Sequence, residues 1–450
     1  MSVKSRVLRF LRMGVLNSCL DISKGGDMRG YYAFTKITDF GPYVTKLILP
    51  VGQEVAEEAV AADKFSVYVE RVDENGQVLM VAQDFFTPDI KHPSKGYVGI
   101  RQAYPSDLQG NKLASGSAIT LEMDYGPIYP LSSLIRIYDD GGHECFARNC
   151  YRITQTGAIA TGGDDLAGLY YDYEIENYMP DVAGFVDSCS SYAPGPMRYG
   201  YFTPQTTGGK KPLIVWLHGA GEGGRETRTA YAGNKVVNLA SEKIQAYFGG
   251  AYILAPQCDT YWMNDGSGTI SESGNSIYVE ALKACIDEFV AKNPGVDPDR
   301  IYIGGDSNGG FMTMRMIIDY PDFFAAAFPI CEALLDEKVS DEDIEKLKGQ
   351  NIWFTHAAND PLVQIDRFML NTYKRLIAAG AENVHLTLWD NVVDIHEGFK
   401  DENGNPYEYF GHFSWIPMLN DDCRLDYDKK PVLVDGEEVT LLQWMAKQHK

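Results

Sequence analysis

An all-β sandwich followed by a doubly wound α/β sheet is the architecture the sequence predicts, and three observations carry it. Residues from about 28 to 154 break into short β-branched and aromatic runs bounded by Gly, Pro, Asp or Asn. Beyond about residue 182, apolar runs with no polar face alternate with stretches of helical period. At 450 residues the chain is also longer than one ordinary core accommodates, so two domains are expected.

The elements follow in order. The segment MSVKSRVLRFLRMGVLNSCLDIS is basic and mildly apolar, and Arg9, Arg12 and Asn17 interrupt it. It reads as a leading segment or a first strand, because a signal peptide needs an unbroken apolar stretch before a small-residue cleavage site. YVTKLILPV, KFSVYVERV, QVLMVAQDFF, AITLEMDY and SLIRIYD then read as strands. In the second of these, Phe65, Val67 and Val69 share one face and Ser66, Tyr68 and Glu70 the other. Regular spacing without helical periods predicts an immunoglobulin-like β-sandwich over 28–154. Residues 155–181 are glycine-rich and acidic and read as a linker.

The second domain is expected over 182–450. PLIVWLHG and AYILAP have the composition of buried parallel strands. Ile277, Ala281, Leu282, Cys285, Ile286, Phe289 and Val290 recur at helical spacing. IYIGG, the helical FMTMRMII, AAFPI, NIWFTH and VHLTLW continue the alternation, as a doubly wound sheet requires.

Composition narrows the function. Hydrophobic residues make up 45% and charged residues 23%, ordinary for a soluble globular protein. A net charge of −22 repels phosphate backbones and anionic headgroups, which argues against nucleic acid and membrane as partners. No apolar run reaches the ~20 residues that span a bilayer. Eight cysteines without a Cys-x-x-Cys pair suit reduced thiols and a cytoplasmic location. His143, Cys145 and Cys150 lie close in sequence but fall short of a four-ligand zinc set, so no metal is expected.

Gly305-Asp306-Ser307-Asn308-Gly309 fits Gly-x-Ser-x-Gly, between the strand Ile301-Tyr302-Ile303 and a helix starting near Gly310. A serine in such a tight turn projects its hydroxyl from the sheet edge, so Ser307 is the expected nucleophile. The backbone N–H of Asn308 is one expected oxyanion donor. The other lies in Leu217-His218-Gly219-Ala220-Gly221-Glu222-Gly223-Gly224, with Ala220 first and Gly221 second. Gly219, Gly221 and Gly224 also fit the dinucleotide pattern Gly-x-Gly-x-x-Gly. A second strand ending in an acid about 20 positions on is missing, since Glu242 falls in the helical-looking SEKIQAYF. The chain order Ser, acid, His makes Asp360, after the strand Asn351–His356, the expected acid, with Asp366 and Asp390 behind it. For the base, local pattern leaves His396 and His412 open and sets His449 aside at the chain end.

LHGAGEGG, APQCDTYW, GGDSNGG, PIC after the elbow helix, and GHFSW together resemble the polyhydroxybutyrate-depolymerase-like and prolyl-oligopeptidase-like esterases of the α/β-hydrolase superfamily, over roughly residues 182–425. The strand-rich first part is similar to the immunoglobulin-like domain that precedes some bacterial esterases. The resemblance implies an α/β-hydrolase fold, His412 as base within its Gly-His-x-Ser-Trp pattern, and no cofactor. It places Trp262 near the active-site mouth, as a substrate contact beside Gly221. Asp306 and Asn308 depart from the commoner form of the elbow, and the Asn308 side chain is expected to bear on the acyl group. A serine carboxylic ester hydrolase acting on small-molecule esters is the expected function. A peptidase on the same groups and a non-catalytic binding protein are the alternatives. The N-terminal domain is expected to cover part of the mouth or to mediate homo-oligomer formation.

Overall fold

The computed structural model describes residues 29–82, 90–137, 142–193, 195–205 and 208–450. The leading segment 1–28, residues 83–86 of the run QVLMVAQDFF and residues 138–139 of SLIRIYD lie outside the described residues.

In the N-terminal part, eight strands form one hydrogen-bonded ladder. Its order is Lys95–Val98, Phe65–Val72, Arg148–Gln155, Tyr170–Tyr178, Arg29–Thr38, Gly41–Ala56, Ser115–Met123 and Ile100–Ser106. Phe65, Val67 and Val69 are buried while Ser66, Tyr68 and Glu70 are half-buried, as the period of two requires. The expected linker 155–181 is corrected: Tyr170–Tyr178 is a strand, paired antiparallel with Arg148–Gln155 through Ile153 opposite Tyr171. Its sequence YYDYEIENY sets Tyr171, Tyr173 and Ile175 against Asp172, Glu174 and Glu176. That is a strand alternation which three carboxylates make look like a loop.

The domain limits also differ from a cut at 154 and 182. The chain divides into two compact units, one of residues 29–32 with Ile48–Glu122 and Ala147–Glu176, the other of Ala33–Leu47, Met123–Phe146 and Asn177–Lys450. Two segments from the strand-rich part therefore belong with the α/β unit. Their side chains explain it: Ile37 joins the core around Trp216, Phe40 packs on Tyr409 and Phe413, and Tyr125 meets Phe399 edge-on.

The α/β unit is built on eight strands: β1 (Phe185–Cys189), β2 (Arg198–Phe202), β3 (Lys211–Leu217), β4 (Tyr252–Gln257), β5 (Val296–Asp306), β6 (Ala326–Ile330), β7 (Ile352–Ala357) and β8 (Val384–Trp389). They lie in the order β1-β2-β4-β3-β5-β6-β7-β8. The first two pairings are antiparallel and the rest parallel. Alternate residues of β3 feed two cores. Leu213, Val215 and Leu217 pack with Phe311, Ile286 and Phe289 under the helices Val279–Lys292 and Asn308–Asp319. Ile214 and Trp216 face Tyr302, Phe328, Trp353 and Trp444, under the helices Glu242–Phe248 and Leu441–Ala446. Burial of each such side chain contributes about 1.5–3 kcal/mol. Doubly covered, the parallel strands leave only their C-terminal edge for chemistry, where β3, β5 and β7 end at Leu217, Asp306 and Ala357.

Candidate active site

Ser307 occupies the turn from β5 into the helix Asn308–Asp319, with φ 54° and ψ −110°. A side-chain residue in that region carries about 1–3 kcal/mol of strain. The surroundings hold it there: its N–H donates to the Ile330 carbonyl at 2.8 Å, and its carbonyl accepts from Phe311 N–H at 2.9 Å. A Cβ at Gly305 or at Gly309 would overlap the Leu217 carbonyl oxygen of β3, so only glycine lets the turn approach the next strand.

Ser307 Oγ lies 2.8 Å from His412 Nε2, and His412 Nδ1 lies 2.7 Å from Asp360 Oδ2. Because the carboxylate only accepts, Nδ1 carries the proton and Nε2 is left to accept from the serine hydroxyl. His412 is delivered by the loop after the short strand Glu408–Tyr409, just ahead of the helix Trp415–Leu419. The indole of Trp415 stands edge-on to the imidazole at 5.9 Å.

Asp360 follows β7 and is buried. Its Oδ1 accepts the N–H groups of Leu362 at 2.9 Å and Val363 at 3.0 Å. Its Oδ2 faces a second imidazole, with His356 Nε2 at 3.0 Å from that oxygen and 3.0 Å from the Val363 carbonyl. Both partners are acceptors, so His356 Nε2 must be the donor, and its Nδ1 has no hydrogen-bond partner among the described residues. Burial opposes ionisation of Asp360, but donors from His356 and His412 outweigh it and hold the carboxyl well below its usual range. In the sequence His356 is indistinguishable from one more residue of an apolar strand. The available signal was its place four residues before the acid.

The remaining sequence-derived residues lie apart. His396 pairs with Asp422 at 2.7 Å and His449 is exposed. Asp366 is exposed, as is Asp390, whose nearest cation is Lys429 at 3.8 Å.

The loop after β3 carries the expected oxyanion donors. His218 is fully buried, and burial lowers its pKa to about 4. The neutral ring donates from Nδ1 to the Gly219 carbonyl at 2.6 Å and accepts Cys258 N–H on Nε2 at 3.2 Å. Gly219 C=O and Ala220 N–H share a peptide plane, so fixing the carbonyl aims the N–H the opposite way. That Ala220 N–H has no acceptor among the described residues. Asn308 N–H, at the first turn of its helix, lacks an intrahelical partner.

Two expectations are corrected. The Asn308 side chain does not face an acyl pocket: it is buried, and its Oδ1 accepts Trp262 N–H at 2.6 Å. Trp262 does not line the mouth: its side chain is fully buried against His218 and Tyr278, with ring centroids at 5.1 and 5.8 Å. An indole after a polar loop looks the same in sequence whether it packs inward or outward.

Behind the loop lie three carboxyl groups, from Asp306, Glu222 and half-buried Glu144. Burial raises all three, Glu222 to about 7 and, helped by the charge of Glu222, Glu144 to about 8. Asp306 is raised well above the usual carboxylate range, by burial and then by Glu222 and Glu144.

Comparison with known proteins locates the same two parts. Residues 30–168 match a family model described as the esterase Ig-like N-terminal domain, and residues 271–377 match the prolyl oligopeptidase family. Over 145 residues the chain is 30% identical to poly(3-hydroxyalkanoate) depolymerase C of Paucimonas lemoignei, covering 30% of this chain and 31% of that protein. Over 135 residues it is 30% identical to feruloyl esterase B of Neurospora crassa, covering 30% of this chain and 43% of the relative. The chain thus spans well under half the length of these relatives. A solved structure described as a thermostable esterase superposes with a TM-score of 0.70 at 22% identity, over 94% of this chain and all of the other, and shows a shared fold. The fold is that of an α/β-hydrolase placed after a β domain.

Proposed function

We propose that the chain is a serine carboxylic ester hydrolase whose triad is Ser307, His412 and Asp360. The observation that carries this reading is the unbroken line of hydrogen bonds, 2.8 Å from Ser307 to His412 and 2.7 Å from His412 to Asp360. His412 takes the Ser307 proton as Oγ attacks the ester carbonyl. Ala220 and Asn308 N–H groups receive the oxyanion, and each such donor is worth about 3–4 kcal/mol at the transition state. His412 returns the proton to the departing alcohol. It then draws a proton from water, which releases the acid from Ser307. Asp360 keeps the imidazole in the required tautomer and stabilises it once charged. Every group named belongs to the chain, and the substrate is a small-molecule ester. Relatives named as a depolymerase and a feruloyl esterase support ester rather than amide chemistry. Hydrolysis of p-nitrophenyl acetate tests the reading. Ser307→Ala is expected to lower kcat by at least about 10⁴-fold, and retained turnover would refute it.

The match of residues 271–377 to the prolyl oligopeptidase family favours a second reading, amide cleavage by the same triad. Turnover of matched p-nitrophenyl esters and p-nitroanilides separates the two.

A further inference from the structure

We propose that His143 and Glu144, which belong by sequence to the immunoglobulin-like stretch, are positioning residues that hold the oxyanion loop in register with Ser307. The proposal rests on the reading of Ser307 as nucleophile. Both residues lie at the end of a small hairpin, Ile135–Ile137 paired with Glu144–Phe146, in the same compact unit as the catalytic sheet. The hairpin is fastened beside the loop by Phe146, whose ring lies 3.9 Å from the Arg228 guanidinium.

The contacts fall on the loop one glycine at a time. Glu144 N–H donates to the Gly221 carbonyl at 2.6 Å. The Glu144 carboxyl occupies the space beside Gly221, where an added Cβ would come within 3.1 Å of it. The His143 ring fills the same space beside Gly223 and Gly224, at 3.1 and 3.3 Å from their Cβ positions. It stacks on Tyr261 at 4.9 Å, and its Nε2 lies 3.1 Å from the Thr260 carbonyl. The segment it grips there, Thr260 to Trp262, is the one that Asn308 holds through Trp262 N–H.

Two features separate positioning from ordinary packing. Within the loop only Gly224 has a positive φ, so Gly219 and Gly221 are not required for backbone conformation. What they supply is room. A Cβ at Gly219 would lie 2.6 Å from Asp306 Oδ2 and 3.0 Å from Glu222 Oε2, as one at Gly221 would meet Glu144. Second, the pinned groups reach both candidate donors of the loop. His218 fixes the Gly219–Ala220 peptide, which carries the Ala220 N–H, and Glu144 fixes the Gly221–Glu222 peptide, so the Ala220–Gly221 peptide, which carries the Gly221 N–H, lies between two held planes. An oxyanion donor acts by being already in place, and a displacement near 1 Å is enough to lose about 100-fold in rate.

The test uses the full chain with His143→Ala, His143→Phe, Glu144→Ala and Glu144→Gln. It reads kcat and KM on p-nitrophenyl acetate, the rate of fluorophosphonate labelling of Ser307, and Tm. Glu144→Ala and His143→Ala are expected to lower kcat and labelling rate together by about 10–100-fold, with KM within about twofold. Glu144→Gln, of equal size, is expected to stay within about threefold of the parent, and His143→Phe, which keeps the stack on Tyr261, to fall between parent and alanine variant. Unchanged kcat in both alanine variants, a loss confined to KM, or Glu144→Gln as damaged as Glu144→Ala would each overturn the proposal. Were the parent protein inactive on esters while Ser307 still labels, the esterase reading would fall and the labelling rates would still decide the role of these two residues.

Discussion

The two ends of the site contain the same chemical group in opposite states. Asp360 is a buried carboxyl held ionised, whereas Asp306, a buried carboxyl next to Ser307 on the other side, has its pKa raised. Burial alone penalises the charged form in both. Hydrogen-bond donors make the difference. Asp360 receives two imidazole N–H groups and two main-chain N–H groups. Asp306 Oδ1 has no partner among the described residues, and the nearest charged groups are two further acids, Glu222 and Glu144. The acid end therefore stores a charge, which the proposed mechanism sets against the His412 imidazole. At the oxyanion end burial shifts the acids toward their protonated form, which lessens the negative charge standing where charge would develop on the substrate.

The largest effect should come from turning the donors at the acid end against their partner. Asp360→Asn keeps the shape but offers His412 an amide in place of a carboxylate, and the wrong imidazole tautomer follows. A fall in kcat/KM of about 10⁴-fold is expected, read on the same model ester. A drop of less than tenfold would mean that the ionised acid contributes little, and the contrast between the two ends would lose its functional meaning.

A smaller effect isolates His356, the donor that the sequence conceals. His356→Phe removes one charge-assisted hydrogen bond, worth about 1.5–3 kcal/mol, so kcat/KM should fall about 10–100-fold, and His356→Gln should recover part of it. The same change has a pH signature. The folded-state pKa of Asp360 is depressed, so its stabilisation is present above the ordinary carboxylate range and lost as pH falls through the folded value. With one donor gone the depression shrinks, and acid unfolding of His356→Phe, followed by circular dichroism, should begin at higher pH than in the parent.

At the oxyanion end the sign reverses. Glu222 and Glu144 are raised to about 7 and about 8, so the folded state holds protons that the unfolded chain has released. Their contribution is complete below the ordinary carboxylate range and is lost as pH rises through about 7 to 8. The parent Tm should therefore decline from the ordinary carboxylate range up to about pH 8 and level off above it, and Glu222→Gln should flatten the decline. An identical slope in both proteins would show that the cluster does not titrate with folding.

What the sequence made legible follows from how local each signal is. The alternation of strands and helices after residue 182 and the elbow around Ser307 are written in consecutive residues, and the fold places that turn at the end of β5. Chain order and the Gly-His-x-Ser-Trp pattern led to Asp360 and His412, which stand in one hydrogen-bonded line with Ser307. Partners distant in sequence were illegible. His356 looks like a strand residue, Trp262 turns inward, and Glu144 meets Gly221 across 77 positions that no period connects. The strand Tyr170–Tyr178 was hidden for another reason: its exposed carboxylates resemble a solvated loop.

The smallest expected effect sharpens the comparison from outside the site. His396 and Asp422 form a pair at 2.7 Å, the same separation as His412 and Asp360. The histidine–carboxylate contact is thus not what distinguishes a base. His412 is almost fully enclosed and has Ser307 on its free nitrogen, whereas the His396 side chain is 38% exposed. An exposed pair of this kind is worth no more than about 1 kcal/mol in water. His396→Ala is therefore expected to keep kcat and KM within about twofold and to lower Tm by only a few degrees, while His412→Ala removes activity. A loss in His396→Ala comparable with that in His412→Ala would move the base to the other pair and break the assignment of roles along the line from Asp360 to Ser307.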